Sequence, residues 1–214
     1  MKISAIISIV IILFSCNDKS TKSVEKYEKL KDRSKTISTN KIKTDSTKIG
    51  VLQNEVMLET DIFFKGKLNR YFTLNEFQKV FGKTDSIKLM SLETPCNYIF
   101  ENEDGSKDVN DKYFYKEGSR FENSKEKVAV DKFRFSKNNF ILYKGINLNS
   151  STTLADLEIL FPKAIKNIQT ISVFDEGELQ VIKLREDENN ISDGHVKLFI
   201  KDGKLYYMHW WFPC

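Results

Sequence analysis

A short sequence pattern occurs twice in this chain of 214 residues, and it restricts the possible folds more than any other feature. The first copy is TLNEFQKVFGK at residues 73–83, and the second is TLADLEILFPK at residues 153–163. In both copies a Thr is followed three residues later by an acidic residue. That spacing is typical of a capping box, in which each side chain accepts a hydrogen bond from the backbone N–H of the other residue. The pattern therefore predicts that a helix begins in each copy.

Each predicted helix has one apolar face. The apolar residues recur at i, i+3, i+6 and i+7 in both copies: Leu74, Phe77, Val80 and Phe81, and then Leu154, Leu157, Leu160 and Phe161. This spacing favours a short amphipathic helix, and Gly82 and Pro162 are expected to end the two helices. An aromatic-Lys-Gly triplet precedes each copy, at residues 64–66 and 143–145. We interpret the pattern as an internal repeat of domain size; the alternative is a chance likeness between two amphipathic helices.

The sequence around the helices predicts β-strands joined in hairpins. The clearest hairpin is the last one, where Asp202-Gly203 separates residues 196–201 from residues 204–211. Asp-Gly between two β-type runs favours a type I′ turn. We therefore predict an α+β fold made of two tandem repeats, residues 51–134 and 135–214. In each repeat a short helix is expected to pack on an antiparallel sheet of hairpins.

Residues 1–15 have the composition of a bacterial signal peptide. Lys2 precedes an almost wholly apolar segment, which is shorter than the roughly 20 residues needed to cross a bilayer. The segment ends in Leu13-Phe14-Ser15-Cys16, which resembles the lipobox of bacterial lipoproteins. The resemblance implies lipid on Cys16 and a membrane-anchored location in the cell envelope, at the outer membrane or the periplasmic face. The alternatives are an uncleaved anchor and an ordinary secretory signal.

Residues 16–50 are predicted to be a disordered tether. They are rich in Lys, Ser and Thr and contain too few apolar residues to form a core. Much of the net charge of +4 lies in this segment, and the chain shows no run of Arg interleaved with aromatic residues. We therefore expect no nucleic-acid partner.

The cysteines predict one disulfide. With Cys16 carrying lipid, Cys96 and Cys214 remain in an oxidising compartment, where disulfides persist. We predict a bond between them, which would fix the end of the last strand. The alternative is two free thiols.

The final hairpin places Phe199, Tyr206, Met208 and Trp210 on one face if its strands pair directly from the two-residue turn. Large aromatic side chains among lysines are typical of protein-binding surfaces. We predict that this face is exposed and binds another protein. The alternative is that another element covers the face, so that these side chains belong to the core.

No catalytic residue, metal ligand or cofactor site is predicted. The two histidines, His195 and His209, have no partner at metal-ligand spacing, and His195 with Asp193 would make only half a metal site. The sequence contains no nucleophile elbow and no Gly-rich phosphate loop. We therefore expect no metal, no cofactor and no enzymatic activity.

A helix that begins with Thr-Leu-x-acid, ends with Phe-x-Lys and leads into hairpins resembles the repeat of β-lactamase-inhibitor-like proteins and of BamE (SmpA)-type lipoproteins. The resemblance implies binding through a sheet face or loops, without catalysis. We expect a lipid-anchored envelope protein that binds another protein, in an inhibitor, immunity or envelope-assembly role. One alternative is a glycan or small-ligand binder that uses Tyr206, Trp210 and Trp211 as stacking platforms. A further alternative is a hydrolase whose site the sequence does not reveal.

Overall fold

Twelve β-strands and four short α-helices form the part of the chain that the computed structural model describes, residues 53–214. The predicted signal peptide, Cys16 and the tether lie outside the described residues. The helical elements are a 3-10 helix (Glu59–Asp61), α1 (Leu74–Phe81), α2 (Met90–Glu93), α3 (Leu154–Leu160) and α4 (Pro162–Lys166). The strands are β1 (Ile62–Phe64), β2 (Tyr71–Thr73), β3 (Ser86–Leu89), β4 (Lys112–Lys116), β5 (Ser119–Ser124), β6 (Lys127–Arg134), β7 (Ile141–Tyr143), β8 (Ile146–Leu148), β9 (Gln169–Val173), β10 (Gly177–Arg185), β11 (His195–Lys201) and β12 (Lys204–Trp211).

These elements confirm the predicted α+β class, since short helices accompany mostly antiparallel sheet. Among the described helices, none has the length and apolar character needed to cross a bilayer.

The larger sheet has nine strands and runs through both halves of the sequence. Its order is β3-β4-β5-β6-β12-β11-β10-β9, and β2 pairs with the part of β6 that β12 does not reach. Two four-stranded antiparallel meanders therefore meet at β6 and β12, where Phe133 pairs with Met208 and Lys132 with His209. A separate three-stranded sheet has the order β1-β7-β8.

Both predicted helix starts are confirmed. Thr73 Oγ1 accepts from the Glu76 N–H at 3.2 Å, and the Glu76 carboxylate accepts from the Thr73 N–H at 2.8 Å. Thr153 and Asp156 make the same pair of bonds at 3.2 and 2.9 Å. The two reciprocal bonds satisfy backbone N–H groups that a helix start otherwise leaves without a partner.

The helix ends differ between the two copies. Helix α1 ends at Phe81, and Gly82 follows with a positive φ of 76°, which suits glycine. Helix α3 ends at Leu160, just before Pro162, as predicted, because a residue that precedes proline is disfavoured in helical geometry, and Phe161 has φ −134° and ψ 57°. Pro162 also begins α4, because the first turn of a helix does not need the N–H that proline lacks.

The main core lies between one face of the large sheet and the layer of α1, α3, α4 and the small sheet. Phe77 of α1 packs edge-on against Phe121 of β5, with ring centroids 5.1 Å apart. Phe64 of the small sheet packs in the same way against Phe133 of β6, at 4.9 Å. Truncating a buried Phe of this kind typically costs about 3–5 kcal/mol, so these contacts fix the helical layer on one face of the sheet.

The final hairpin differs from the predicted register. The turn-proximal pairs are as expected, but Phe199 pairs with Tyr207 rather than with Tyr206, because a β-bulge follows the Ile200–Leu205 pair. A one-residue shift moves every following side chain to the other face. Met208 and Trp210 therefore join the main core, at 0% and 3% exposure.

The prediction that Phe199, Tyr206, Met208 and Trp210 form one exposed face is therefore wrong, and the alternative, that these side chains belong to the core, holds for Met208 and Trp210. Phe199 is 5% exposed and packs with Tyr207, Leu179 and Val181 in a small cluster on the opposite face from Met208. Only Tyr206 is partly accessible. The four residues do not form one surface.

Candidate functional site

A cavity of about 650 Å³ opens on the side of the large sheet opposite to α1, α3 and α4. The floor of the cavity lies on this face because successive side chains of a strand point to opposite faces of the sheet. Phe121 lies in the core, so its neighbours Arg120 and Glu122 point to the other face and line the cavity. In the same way, Met208 lies in the core and His209 lines the cavity. The walls come from residues 95–99, which follow α2, and from residues 211–214.

A second β-bulge brings Asp131 into the cavity floor. Arg120 pairs with Lys132 and Phe121 with Val130, which leaves Asp131 as the extra residue of β6. Bulges redirect side chains and are common beside functional sites. The bulge thus presents a carboxylate at the point where β5, β6 and β12 are adjacent.

Asp131 bridges two cavity residues from the neighbouring strands. Its Oδ2 accepts a hydrogen bond from Arg120 Nε, and its Oδ1 lies 3.3 Å from His209 Nε2. Burial alone would raise the pKa of Asp131, but its contacts with His209 and Arg120 outweigh burial and hold the pKa below the usual range. Asp131 is therefore an ionised carboxylate that fixes the orientation of both partners.

Arg120 is held by an aromatic ring as well as by Asp131. Its guanidinium carbon lies 4.6 Å from the centroid of the Tyr113 ring, at a distance typical of a cation–π contact. Tyr113 is buried, and that burial raises the pKa of its phenol above the ordinary value. The Arg120 side chain keeps 33% of its surface accessible, so it can contact a ligand without rearrangement.

Arg70 is a second guanidinium at the cavity, and it is almost fully buried at 4% exposure. It lies where β6 changes its partner from β2 to β12, and its Nε donates to the Val130 carbonyl at 3.3 Å. Its guanidinium lies 4.4 Å from the Trp210 ring, and its Nη1 lies 3.6 Å from a Glu59 carboxylate oxygen. Trp210 thus supports a buried cation instead of forming an exposed surface.

Glu122 anchors the cavity wall to the floor. Its carboxylate accepts hydrogen bonds from the backbone N–H groups of Ile99, at 2.9 Å, and Phe100, at 2.7 Å. Burial raises the pKa of Glu122 to about 7, although the two N–H bonds act in the opposite direction. The carboxyl group of Glu122 therefore keeps its proton to a higher pH than an ordinary glutamate.

The cavity wall is closed by the predicted pair of cysteines, Cys96 and Cys214, which lie at disulfide distance. The Cα atoms of Cys96 and Cys214 lie 5.5 Å apart, within the normal range for a disulfide. Beside it, the Asn97 side-chain amide donates to the carbonyl groups of Phe212, at 3.3 Å, and Pro213, at 3.0 Å. The disulfide and the amide together join the segment after α2 to the last residues of the chain.

The histidines lie in different surroundings. His209 belongs to the cavity floor, whereas His195 stacks on the Trp211 ring at 5.8 Å. Asp193 lines the cavity, and His195 is not among the lining residues. Across residues 53–214, no group of three or more His, Cys, Asp or Glu side chains is placed to hold a metal ion.

Sequence reasoning did not find the main polar residues of this cavity. They are Arg70, Arg120, Glu122, Asp131 and His209. Four of the five come from three adjacent strands, but they are spread over nearly a hundred residues of sequence and share no local motif. The one available signal was Asp131, a charged residue inside an otherwise β-type run.

Comparison with known proteins does not assign a family. The chain matches no protein-family model, and no curated protein or solved structure is significantly similar to it. A fold by itself does not define a function. The cavity and the sheet face around it are therefore the basis for a functional assignment.

Proposed function

We propose that this protein is a non-catalytic, lipid-anchored binding protein of the cell envelope, and that its cavity binds a saccharide. The cavity volume is in the range of about 300–1,000 Å³ that is usual for ligand sites. Its walls include aromatic side chains (Tyr71, Tyr98, Trp211 and Phe212), and its floor includes planar polar groups. This combination of aromatic walls and a polar floor is the main observation that supports the proposal.

The floor suits a ring that carries many hydroxyl groups. Each hydroxyl is both a donor and an acceptor. Arg70 and Arg120 supply fixed donors, while Glu122 and Asp131 supply acceptors beside them. An exposed aromatic ring of the wall, such as Phe212, can cover the apolar face of a sugar. The cavity can therefore form hydrogen bonds with the hydroxyl groups at the edge of a sugar ring and pack an aromatic ring against the apolar face of the same sugar.

The bonding of the two acids supports a preorganised binding site. Asp131 is held by both Arg120 and His209, and Glu122 is held by two backbone N–H groups. Each carboxylate oxygen has a second lone pair that can accept a hydrogen bond from a ligand hydroxyl. Both acids are therefore fixed in position before a ligand binds, which lowers the entropic cost of binding.

The proposed location depends on the N-terminal sequence. The signal peptide of residues 1–15 and lipid on Cys16 would anchor the chain, and residues 16–50 would hold the binding unit away from the membrane. The paired Cys96 and Cys214 support an oxidising compartment.

We also infer that residues 51–134 and 135–214 are tandem copies of one unit. Several matched features support this inference. The Leu74 N–H donates to the Glu126 carbonyl at 2.9 Å, and the Leu154 N–H donates to the Gly203 carbonyl at 3.0 Å. In each half, the helix therefore begins beside the turn that precedes the last strand of the meander. The strand order of the large sheet is likewise symmetrical about the pairing of β6 with β12.

A protein partner bound through the hairpin face is the less favoured candidate, because three of its four proposed residues are buried. The saccharide proposal has a direct test. The full-length protein, kept in detergent micelles, is applied to an array of neutral and anionic oligosaccharides, beside Phe212→Ala and Phe174→Ala. Phe174 is 90% exposed and does not line the cavity, so it is the matched control.

We expect saccharide binding by the wild type and by Phe174→Ala, and its loss in Phe212→Ala. Equal binding by all three proteins, or binding of no saccharide by a folded wild type, would contradict the proposal.

A further inference from the structure

One row of basic residues crosses five adjacent strands of the large sheet. Lys183 of β10 pairs with Lys197 of β11, which pairs with His209 of β12. His209 pairs with Lys132 of β6, and Lys132 pairs with Arg120 of β5. Directly paired residues share one face of a sheet, and strands lie about 4.8 Å apart, so the row is about 19 Å long. We refer to these five residues as the basic row.

The basic row is unfavourable for folding by itself. Like charges placed directly opposite each other destabilise a sheet. Burial and the neighbouring charge of Lys183 both lower the pKa of Lys197. No acidic side chain in the described part of the chain lies within ion-pair distance of Lys183 or Lys197. This end of the row therefore presents positive charge that the fold leaves without compensation.

The acids on this face cancel only part of the positive charge. Glu176 lies 3.6 Å from both Lys132 and Arg134, so one carboxylate serves two cations. Asp131 pairs with Arg120 and so compensates the charge at that end of the row. An anion that approached the row would find the surplus of positive charge at Lys183, Lys197 and Lys132.

Aromatic rings hold the cations of this face in place. Lys197 Nζ lies 3.8 Å from the centroid of the Trp211 ring, and Lys132 Nζ lies 3.9 Å from that of Tyr207. Arg134 lies 3.2 Å from the Tyr206 ring in the same manner. Basic and aromatic residues are therefore interleaved across the strands, although they are not interleaved along the sequence. The rings limit side-chain motion, which lowers the entropic cost of binding an anion.

We propose that the basic row binds an anionic polysaccharide, whose carboxylate or phosphate groups lie along the row while one sugar enters the cavity. Arg120 and His209 belong to both the row and the cavity floor, so the two sites are continuous. This inference rests on the proposed saccharide-binding function and adds the charge and the polymeric nature of the ligand.

A sugar polymer fits this face better than single-stranded nucleic acid. Nucleic-acid sites without sequence preference stack successive bases on open aromatic rings. Here Tyr207 is only 3% exposed, and cations already lie over the rings of Tyr207 and Trp211. The basic row can therefore contact a series of charged groups along a polymer, whereas space for a single sugar ring exists only in the cavity.

The test compares two double variants of the full-length protein in detergent micelles. Lys183→Gln with Lys197→Gln removes two charges from the row. Lys79→Gln with Lys166→Gln removes two charges from exposed positions on helices, on the other side of the sheet, and is the matched control. The ligands are polygalacturonate as a carboxylate polymer, a phosphate-bearing polysaccharide, neutral dextran, and an oligonucleotide of thymidines.

We expect the row variant to bind the carboxylate or the phosphate polymer at least about tenfold more weakly than the wild type, since each charge-assisted contact is strong. The control should bind as the wild type does, and the polymer that binds more tightly identifies the anionic group. Neutral saccharide binding in the cavity should be equal in both variants. Unchanged polyanion binding by the row variant would overturn the inference while the cavity proposal stood. Equally tight binding of the oligonucleotide would overturn the assignment to polysaccharides.

Discussion

Asp131 Oδ1 lies 3.3 Å from His209 Nε2, and this contact joins the two meanders of the large sheet. The two residues come from β6 and β12, the strands at which the halves of the sheet meet. Asp131 can reach His209 because it is the extra residue of a β-bulge, and it also accepts a hydrogen bond from Arg120. One carboxylate therefore organises the cavity floor and the junction of the sheet.

Replacing Asp131 with Asn should destabilise the protein. The amide would keep the size of the side chain but leave Arg120 and His209 without their shared anion, and breaking a buried ion pair typically costs about 3–5 kcal/mol. Because Arg120 is partly accessible to solvent, we expect a loss nearer to about 2 kcal/mol. Chemical denaturation measured by circular dichroism checks this expectation. Exposed Asp175→Asn is the control, and a variant as stable as the control would show that the bridge does not contribute.

The stability of the protein should fall as the pH rises from about 5 to 8. The pKa of Glu122 is raised from 4.5 to about 7, so the folded state holds a proton that the unfolded state has already lost in this window. The folded state binds more protons, and its free energy of unfolding therefore decreases with increasing pH, by at most about 3 kcal/mol. Denaturation midpoints measured at several pH values give the slope of stability against pH.

Glu122→Gln should reduce that pH dependence, because Gln has no proton to lose. Glu103→Gln, at an exposed loop position, should retain the slope of the wild type. An unchanged slope in Glu122→Gln would assign the pH dependence to other groups.

Reduction of the Cys96–Cys214 pair should lower stability. The bond spans 118 residues of sequence, and closing a loop of that length contributes about 4–5 kcal/mol in the chain-entropy model, with measured values often lower. We expect a reductant to lower the denaturation midpoint of the wild type and to leave Cys96→Ser with Cys214→Ser unchanged. Quantitative thiol labelling of unreduced, denatured protein would contradict this expectation if it found that Cys96 and Cys214 are free thiols.

Each of the two helix caps should contribute a similar amount to stability. Thr73→Ala and Thr153→Ala remove the side-chain acceptor of a capping box, and such changes cost about 1 kcal/mol each. The sites are far apart in sequence and belong to different helices, so the losses should add in the double variant. Denaturant titration of the single and double variants measures both effects. A loss at one site only would show that the two helix starts are not energetically equivalent.

Local rules were sufficient for the helix starts and the final turn. The capping boxes at Thr73 and Thr153 depend on residues three positions apart, and the Asp202-Gly203 turn depends on two neighbours. The pairing of Cys96 with Cys214 could also be predicted, because few partners were available.

The bulges and the cavity could not be predicted in the same way. Tyr206 and Asp131 become extra residues only when β12 and β6 pair with their neighbours, and neither has a distinctive local sequence. The bulge at Tyr206 moved Met208 and Trp210 into the core, which reversed the predicted binding face. The basic row likewise could not be predicted, because its members are far apart along the chain and become neighbours only through the pairing registers of five strands.

The most direct test of saccharide binding in the cavity is two-dimensional NMR of the full-length protein titrated with the oligosaccharide that binds best on the array. We predict that the side-chain signals of His209, Trp211 and Arg120 shift in a saturable manner, while the Phe174 backbone signal remains in place. Saturable shifts confined to residues outside the cavity, or no shifts at all, would contradict the account.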